Sequence, residues 1–324
     1  MTLHDTNKSL VAVVVTCNRL DKLQVTLARL LDSPADELLA IVLVDNASTD
    51  GTDAWLNEQT DDRLVVLREE TNTGGAGGFY RGMKEAVSRF DPDWLVVMDD
   101  DGRPEVGALA NFQALDVAEW DGMAAAVYFP SGEICEMNRP SRNPFWHLRE
   151  FFGAMLNGRG GFHIRPEAYS RSEPSPIDVT SFVGFFISRR GLEIAGYPDP
   201  KLFIYGDDGI YTLGLSEMSG KMCFEPRIRF EHDLSTFTAQ RGRFHPMWKI
   251  YYYHRNLLML YRLAAGVFFW PALLFIIPKW LFKIRDHKDD RALFLSLMLR
   301  AIRDGILRRR DVRHTQVLEW AQGK

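Results

Sequence analysis

Cysteine is scarce. Cys17, Cys135 and Cys223 are the only three in 324 residues, and no two form a C-x-x-C pair. That excludes a disulfide-stapled secreted scaffold and a cysteine-based zinc site, and leaves reduced, buried thiols. A leader is missing as well. Residues 1–9 are polar, with no apolar h-region, so a cytoplasmic protein is expected. No apolar run reaches the ~20 residues of a spanning helix. The longest, residues 267–282, is interrupted by Pro271, Pro278 and Lys279. Charge of one sign does not dominate either: 39 Lys and Arg meet 43 Asp and Glu, a net charge of −4. A nucleic-acid partner is therefore not expected. Internal repeats and low-complexity segments are also lacking.

What is present is an ordinary globular composition, 46% hydrophobic and 25% charged, enough for one large domain or two smaller ones. Residues 11–16 (VAVVVT) are a Val-rich run without polar alternation, the pattern of a strand buried on both faces of a parallel sheet. Residues 21–32 then carry Leu23, Leu27, Leu30 and Leu31 on one helical stripe. Strands are predicted at 40–44, 64–68 and 94–98, with a short helix at 52–59 and another over 79–90. Strand and helix in alternation read as an open, doubly wound α/β sheet. Ligands of such sheets lie beyond the carboxyl ends of the strands. Thr16 to Arg19, Asp45 with Asn46, and Asp99 to Asp101 all fall at that edge. Residues 130–180, rich in Pro and Gly, read as a long irregular insertion of the kind that forms lids or acceptor loops. Residues 183–188 are apolar again and are expected back in the sheet.

Three adjacent carboxylates, Asp99, Asp100 and Asp101, repel one another unless a cation neutralises them. If the chain stays extended, Asp99 and Asp101 can face one ion, and hard oxygen ligands suit Mg2+ or Mn2+. The bland alternative is a solvated acidic turn. Asp207 and Asp208 lie in an apolar frame, FIYGDDGIY. A carboxylate held there can act as a general base, or it can cap a helix over 209–217. His232 alone would be an ordinary structural histidine; beside an acidic cluster, imidazole suits Mn2+ as a third ligand. The run Gly74, Gly75, Ala76, Gly77, Gly78 opens a helix and lets something pack close to the backbone. It is neither a P-loop nor a GxGxxG fingerprint.

Together and in order, Val13 to Thr16, Val44 to Asp50, Asn72 with its glycine run, and the three aspartates resemble the inverting glycosyltransferases of family 2. The resemblance covers about residues 10–240. It implies a GT-A fold, an α/β, nucleotide-sugar-binding, Rossmann-like and mostly parallel sheet, with a C-terminal helical segment. Residues 1–245 would be the catalytic domain and 246–324 the helical region. It implies Thr16 and Asp45 near a uracil base, with Asp45 contacting N3–H. Arg19, Asn72, Gly74, Gly75 and Asp100 complete the expected donor-binding set. Asp99 and Asp101 would hold Mn2+ or Mg2+ against the diphosphate. A narrower likeness is to bacterial galactofuranosyltransferases, marked by Asn followed by Gly-Gly-(Ala/Ser)-Gly-Gly-Phe and a strand ending in three Asp. Here that is Asn72, Gly74 to Phe79, and Asp99 to Asp101. In that likeness Asp207 and Asp208 match the catalytic pair, with Asp208 the base, and His232 the metal-binding histidine. The segments Tyr251 to Asn256 and Arg303 to Ile306 fit it too. The expected reaction moves galactofuranose from UDP-galactofuranose to a glycan or lipid-linked glycan in cell-surface polysaccharide synthesis.

The chain departs from the family near the acceptor pocket. Phe185 and Phe186 stand where a Trp pair is usual, Gly206 where a Trp often precedes the Asp pair, and Ile210 where an acidic residue is common. Rival readings are a rhamnosyl- or hexopyranosyltransferase of the same fold and a non-catalytic nucleotide-sugar-binding protein. A nucleotidyltransferase would need a basic triphosphate loop, and residues 16–21 supply only Arg19. Residues 279–313 hold eleven Lys or Arg against five Asp, just after the aromatic run at 267–282. That pattern fits peripheral contact with the inner face of the cell membrane, or a helical cap on the catalytic domain.

Overall fold

A computed structural model describes residues 8–234 and 244–323; residues 1–7, read above as leaderless, lie outside it. The first apolar run is strand β1 (Leu10–Thr16), buried along its whole length. Helix α1 (Leu20–Leu31) leads to β2 (Ala40–Asp45), and the short α2 (Thr52–Leu56) to β3 (Leu64–Arg68). Helix α3 (Gly74–Phe90) leads to β4 (Trp94–Asp99). Strand β1 pairs in parallel with β2 and β4, and β2 with β3. Alternation along β1 explains its burial on both faces. Leu10, Ala12 and Val14 pack with Leu23, Leu27 and Leu30 of α1, whereas Val11, Val13 and Val15 pack with Phe79, Met83 and Ala86 of α3.

The glycine run is the first turn of α3 rather than a loop before it. Glycine makes a poor helix interior, yet here it is required. A Cβ at Gly78 or Gly82 would stand 2.5 Å from Val15 or Val13, so these two positions set how closely α3 lies on β1.

The other half of the sheet is mixed. Strand β5 (Gly102–Pro104) and helix α4 (Ala108–Ala114) precede β6 (Gly122–Tyr128). The insertion follows, with α5 (Leu148–Asn157) and the short β7 (Ser175–Ile177). Next come β8 (Phe185–Ser188), α6 (Arg189–Ala195), α7 (Asp207–Glu217) and β9 (Met222–His232). The order is β3-β2-β1-β4-β8-β6-β9-β5, with β7 on β9. Strand β8 returns to the sheet as expected, antiparallel between β4 and β6. Strand β9 runs beside β6 and ends against β5, with His232 opposite Gly102. That register sets the imidazole next to the acidic turn.

The C-terminal region is α8 (Lys249–Ala265), α9 (Phe269–Phe282), α10 (Arg291–Ile306) and α11 (His314–Ala321). Their shared core includes Phe203, which belongs to the chain just before α7. With the 3-10 turns that join them, α8 and α9 form one helical stretch, Lys249–Asp286, long and apolar enough by length and composition to cross a membrane. This corrects the expectation from residues 267–282 alone. Pro271 sits in the first turn of α9, where its missing N–H has no helical partner to lose, so it does not end the run. The α8 half is committed to the fold: His254, Arg255 and Asn256 are fully buried.

His254 donates Nδ1–H to the Ile250 carbonyl at 2.8 Å. Burial pushes its pKa down to about 4, with Lys283 and His287 adding positive charge nearby. Its folded pKa is below the unfolded value, so the unfolded chain takes up the proton first as pH falls, and stability is lost from about pH 6.5 toward pH 4. Relative to His254→Gln, wild-type stability should drop by roughly 2 kcal/mol between pH 7 and pH 5. Urea unfolding of both proteins at the two pH values measures this difference.

Candidate active site

Asp101 is the junction of the site. Its side chain, almost fully buried, meets Arg19 Nη2 at 2.5 Å and His232 Nε2 at 3.2 Å. Burial alone would raise its pKa, but the His232 and Arg19 contacts hold it below the usual carboxylate range. His232 shows the reciprocal effect. Burial favours the neutral ring, yet the bond to Asp101, with Cys135 and the Asp99 charge nearby, raises its pKa to about 9. Its Nδ1 lies 2.7 Å from Asn138 Oδ1, which fixes the ring. Asp100 points toward β1, accepting the Thr16 hydroxyl at 2.8 Å and meeting Arg19 Nη1 at 3.2 Å. Desolvation still pushes it up to about 6.

Asp99 is the carboxylate left over. It is partly exposed, and it has no hydrogen-bonding partner among the described residues. Desolvation, then Asp101 and Asp100, raise its pKa to about 7. Asp99, Asp101 and His232 therefore share one neighbourhood without being closed into a cage: among the described residues, no three His, Cys, Asp or Glu side chains are grouped to hold an ion. In this arrangement the Arg19 guanidinium and the His232 imidazole, whose pKa is raised to about 9, supply the positive charge. The donor set of two carboxylates and an imidazole fits a Mn2+- or Mg2+-type ion, and Asp99 is the side chain with most to gain from one.

The second acidic pair arrives from another direction. Asp207 and Asp208 are the first two residues of α7, and the N-cap is Gly206. An Asp cap on a helix over 209–217, the alternative to a catalytic role, is therefore not what the structure shows. Both carboxylates lie inside the first turn, where the helix dipole favours negative charge. Asp208 accepts the Gly209 N–H at 2.6 Å. Desolvation raises the pKa of both; Asp208 and then Asp99 push Asp207 higher still. A hydrogen-bonded relay links the two acidic groups: Thr212 of α7 bonds Thr180, and Ser181 beside it accepts from Asn138 Nδ2, whose Oδ1 holds His232.

The preceding loop is strained. Phe203, Tyr205 and Gly206 have φ of 69°, 68° and 72°, and the Ile204 N–H reaches back to the Leu202 carbonyl at 2.9 Å in a γ-turn. It is held from two sides. Ala76 N–H donates to the Phe203 carbonyl at 3.1 Å. From α8, Asn256 Nδ2 lies within 3.0 Å of the Leu202, Ile204 and Tyr205 carbonyls, and Arg255 Nη2 reaches the Lys201 and Leu202 carbonyls. Neither residue was singled out as functional from sequence. The available signal was a polar Arg-Asn pair inside an aromatic helical stretch.

At the ends of β1 and β2, Asp45 is buried opposite Thr16 in the ladder, and its Oδ1 accepts the Ser48 N–H at 3.0 Å. Asn46, also missed, ties down the start of α3: Nδ2 donates to the Gly74 carbonyl at 2.9 Å and Oδ1 accepts Thr73 N–H at 2.8 Å. Asn72 accepts Gly74 N–H at 2.7 Å. Close approach at Gly74 serves the protein itself, since a Cβ there would stand 2.0 Å from the Phe203 carbonyl oxygen. Gly75 faces open space.

Residues 11–170 match the glycosyl transferase family 2 model. The chain carries a family 2 glycosyltransferase domain. Its sequence is similar to "Galactofuranosyltransferase GlfT1" of Mycolicibacterium smegmatis, 29% identical over 61% of this chain and 62% of the relative. The protein of the same name from Mycobacterium tuberculosis is 31% identical over 62% of each chain. The chain thus spans under two thirds of the length of the curated relatives it matches. Solved structures share the fold. GalNAc-T7 superposes with a TM-score of 0.55 at 16% identity, over 78% of this chain and 47% of that one. The mannosyltransferase PcManGT of Pyrobaculum calidifontis gives 0.53 at 16% identity, over 94% and 88%. The GT-A architecture expected from the sequence is therefore that of this family 2 domain.

Two substitutions separate the glycines of the family 2 domain. Gly74→Ala collides with backbone at a positive φ and should cost at least about 2 kcal/mol. Gly75→Ala should leave the urea-unfolding midpoint unchanged. Asn256→Ala leaves the Ile204 and Tyr205 carbonyls without their donor and should cost roughly 2 kcal/mol or more in the same assay.

Proposed function

We propose that this protein is an inverting galactofuranosyltransferase, moving galactofuranose from UDP-galactofuranose to a hydroxyl of a glycan or lipid-linked glycan. The observation that carries the proposal is the meeting of two acidic groups from distant stretches of chain. Asp99 ends β4 with Asp100 and Asp101 directly after it, and Asp207 and Asp208 open α7, which Thr212 ties to Thr180; the adjacent Ser181 accepts from Asn138, the partner of His232. Support for the donor comes from the relatives named as galactofuranosyltransferases and from the glycine run beside Asn72. Structures sharing the fold were solved with UDP and Mn2+ or with GDP-Man and Mn2+, so a nucleotide sugar with a divalent cation is the natural donor complex.

Each side chain has a definite task in this reading. Thr16 and Asp45, buried at the ends of β1 and β2, line the base site. Arg19, Asn72, Gly74, Gly75 and Asp100 border the sugar-diphosphate. Asp99, Asp101 and His232 would hold Mn2+ or Mg2+, which supplies neutralisation of the charge that develops on the departing UDP. Asp208 is partly exposed, and one of its oxygens is fixed by the Gly209 N–H. The other is available to the acceptor. Its raised pKa makes it a better proton acceptor than an ordinary aspartate. The acceptor hydroxyl gives its proton to Asp208 as its oxygen bonds to the anomeric carbon. The bond to UDP breaks on the opposite face, so an α-linked donor yields a β-galactofuranoside.

Asp208→Asn should reduce transfer by roughly 100-fold or more with folding and UDP binding retained; near wild-type transfer would remove the base assignment. Mass spectrometry of UDP release from UDP-galactofuranose, UDP-galactopyranose and UDP-glucose, with dTDP-rhamnose alongside, tests the donor. Preference for the furanose is expected, and turnover of dTDP-rhamnose instead would favour the rhamnosyl reading.

A further inference from the structure

Helix α5 has its apolar stripe on the wrong side for a core helix. None of its residues is buried. Leu148, Phe152, Met155 and Leu156 follow one helical face, and Leu148 and Leu156 are 79% and 83% exposed. Helix α9 repeats the pattern. Val267, Trp270, Leu274, Phe275 and Phe282 are exposed along one side, Leu274 and Phe275 at 74% and 78%. The two stripes meet: Phe145, just before α5, stacks on Phe268, just before α9, with ring centroids 6.1 Å apart. Trp146 and Trp270 are exposed beside that joint. A soluble surface rarely shows so many large apolar side chains in continuity.

Charge settles which occupant the face suits. Immediately after the α9 stripe, residues 279–291 carry Lys279, Lys283, Arg285, Lys288 and Arg291 against three aspartates. The Arg285 guanidinium lies over the Phe282 ring at 3.7 Å, a cation placed at the edge of the apolar stripe. Exposed aliphatic and aromatic side chains bordered by Trp and by Lys and Arg are the chemistry of a helix lying in a headgroup layer. A protein partner would need no such cationic border.

We propose that α5 and α9 together form a two-helix face that seats this protein on an anionic lipid leaflet. The face is rigidly joined to the catalytic side. His147, at the start of α5, pairs with Asp178 at 2.7 Å, and Asn143 donates to the Ala264 carbonyl at the end of α8 at 2.9 Å. Val179, next to Asp178, lies 3.7 Å from the Cβ position of Gly209, the residue after Asp208. Docking would thus fix the Asp208 side of the site relative to the bilayer, where the sugar of a lipid-linked acceptor would be presented. The buried α8 half keeps the contact peripheral, although the stretch is long enough to span.

Flotation of the full chain with vesicles, without donor or acceptor, tests this independently of glycosyl transfer. Binding to phosphatidylglycerol vesicles is expected to exceed binding to phosphatidylcholine vesicles. Leu274→Glu with Phe275→Glu, and separately Leu148→Glu with Leu156→Glu, should each weaken it by at least about tenfold with an unchanged unfolding temperature. Lys279→Gln with Arg285→Gln leaves the apolar stripes intact and should reduce only the anionic preference. The proposal is overturned if the wild-type chain does not float, or if the α5 variant floats undiminished. It is also overturned if the face proves to hold a lipid-independent dimer that the variants dissociate.

Discussion

The ion pairs of Asp101 with Arg19 and His232 hold the site together, because they join three stretches that are far apart in the chain. Arg19 leaves the end of β1, Asp101 follows β4, and His232 ends β9. In a parallel sheet such ends converge on one edge. Repulsion among three adjacent carboxylates, two of them buried, would disfavour that edge if the cations were absent. One guanidinium and one imidazolium compensate Asp101 and part of Asp100, and Asp99 is left protonating near neutrality. The remaining negative charge leaves this edge short of positive charge.

The second acidic pair, Asp207 and Asp208, depends on a different constraint. The turns at Phe203 and Tyr205 are unfavourable for L-residues and persist only because the surroundings over-determine them. Ala76 holds the loop from the start of α3, and Asn256 and Arg255 hold it from α8. The start of α3, the start of α7 and the C-terminal helices therefore meet at a single loop. The C-terminal helices are structural members of the site, whatever their outer face contacts.

That dependence explains how legible each part was. Strands β1, β2 and β4 were readable because both-face burial writes itself as runs such as VAVVV. The aspartates stood out because like charges seldom adjoin at the end of an apolar strand. Helix α3 was placed five residues late, since glycine propensity argues against a helix and only contact with Val13, Val15 and Phe203 explains why glycine is needed there. Asn46, Arg255 and Asn256 were missed for a related reason. Their function is to bond backbone carbonyls and amides of remote segments, and local sequence shows only that polar residues stand at a strand end or inside an aromatic stretch.

By itself, then, the sequence determined the alternating α/β core, the carboxyl-edge location of the acidic residues and the types of donor atoms available. Burial pattern and charge repulsion are local properties, set within a few neighbouring residues. Only the tertiary structure decided that Arg19 and His232 share Asp101, that Asp99 is the side chain left uncompensated, and that α5 turns its apolar stripe outward. Those outcomes depend on the register of β9 against β5 and on the packing of α8 beneath the 202–206 loop. Both bring together groups more than fifty residues apart, at distances that no local pattern encodes.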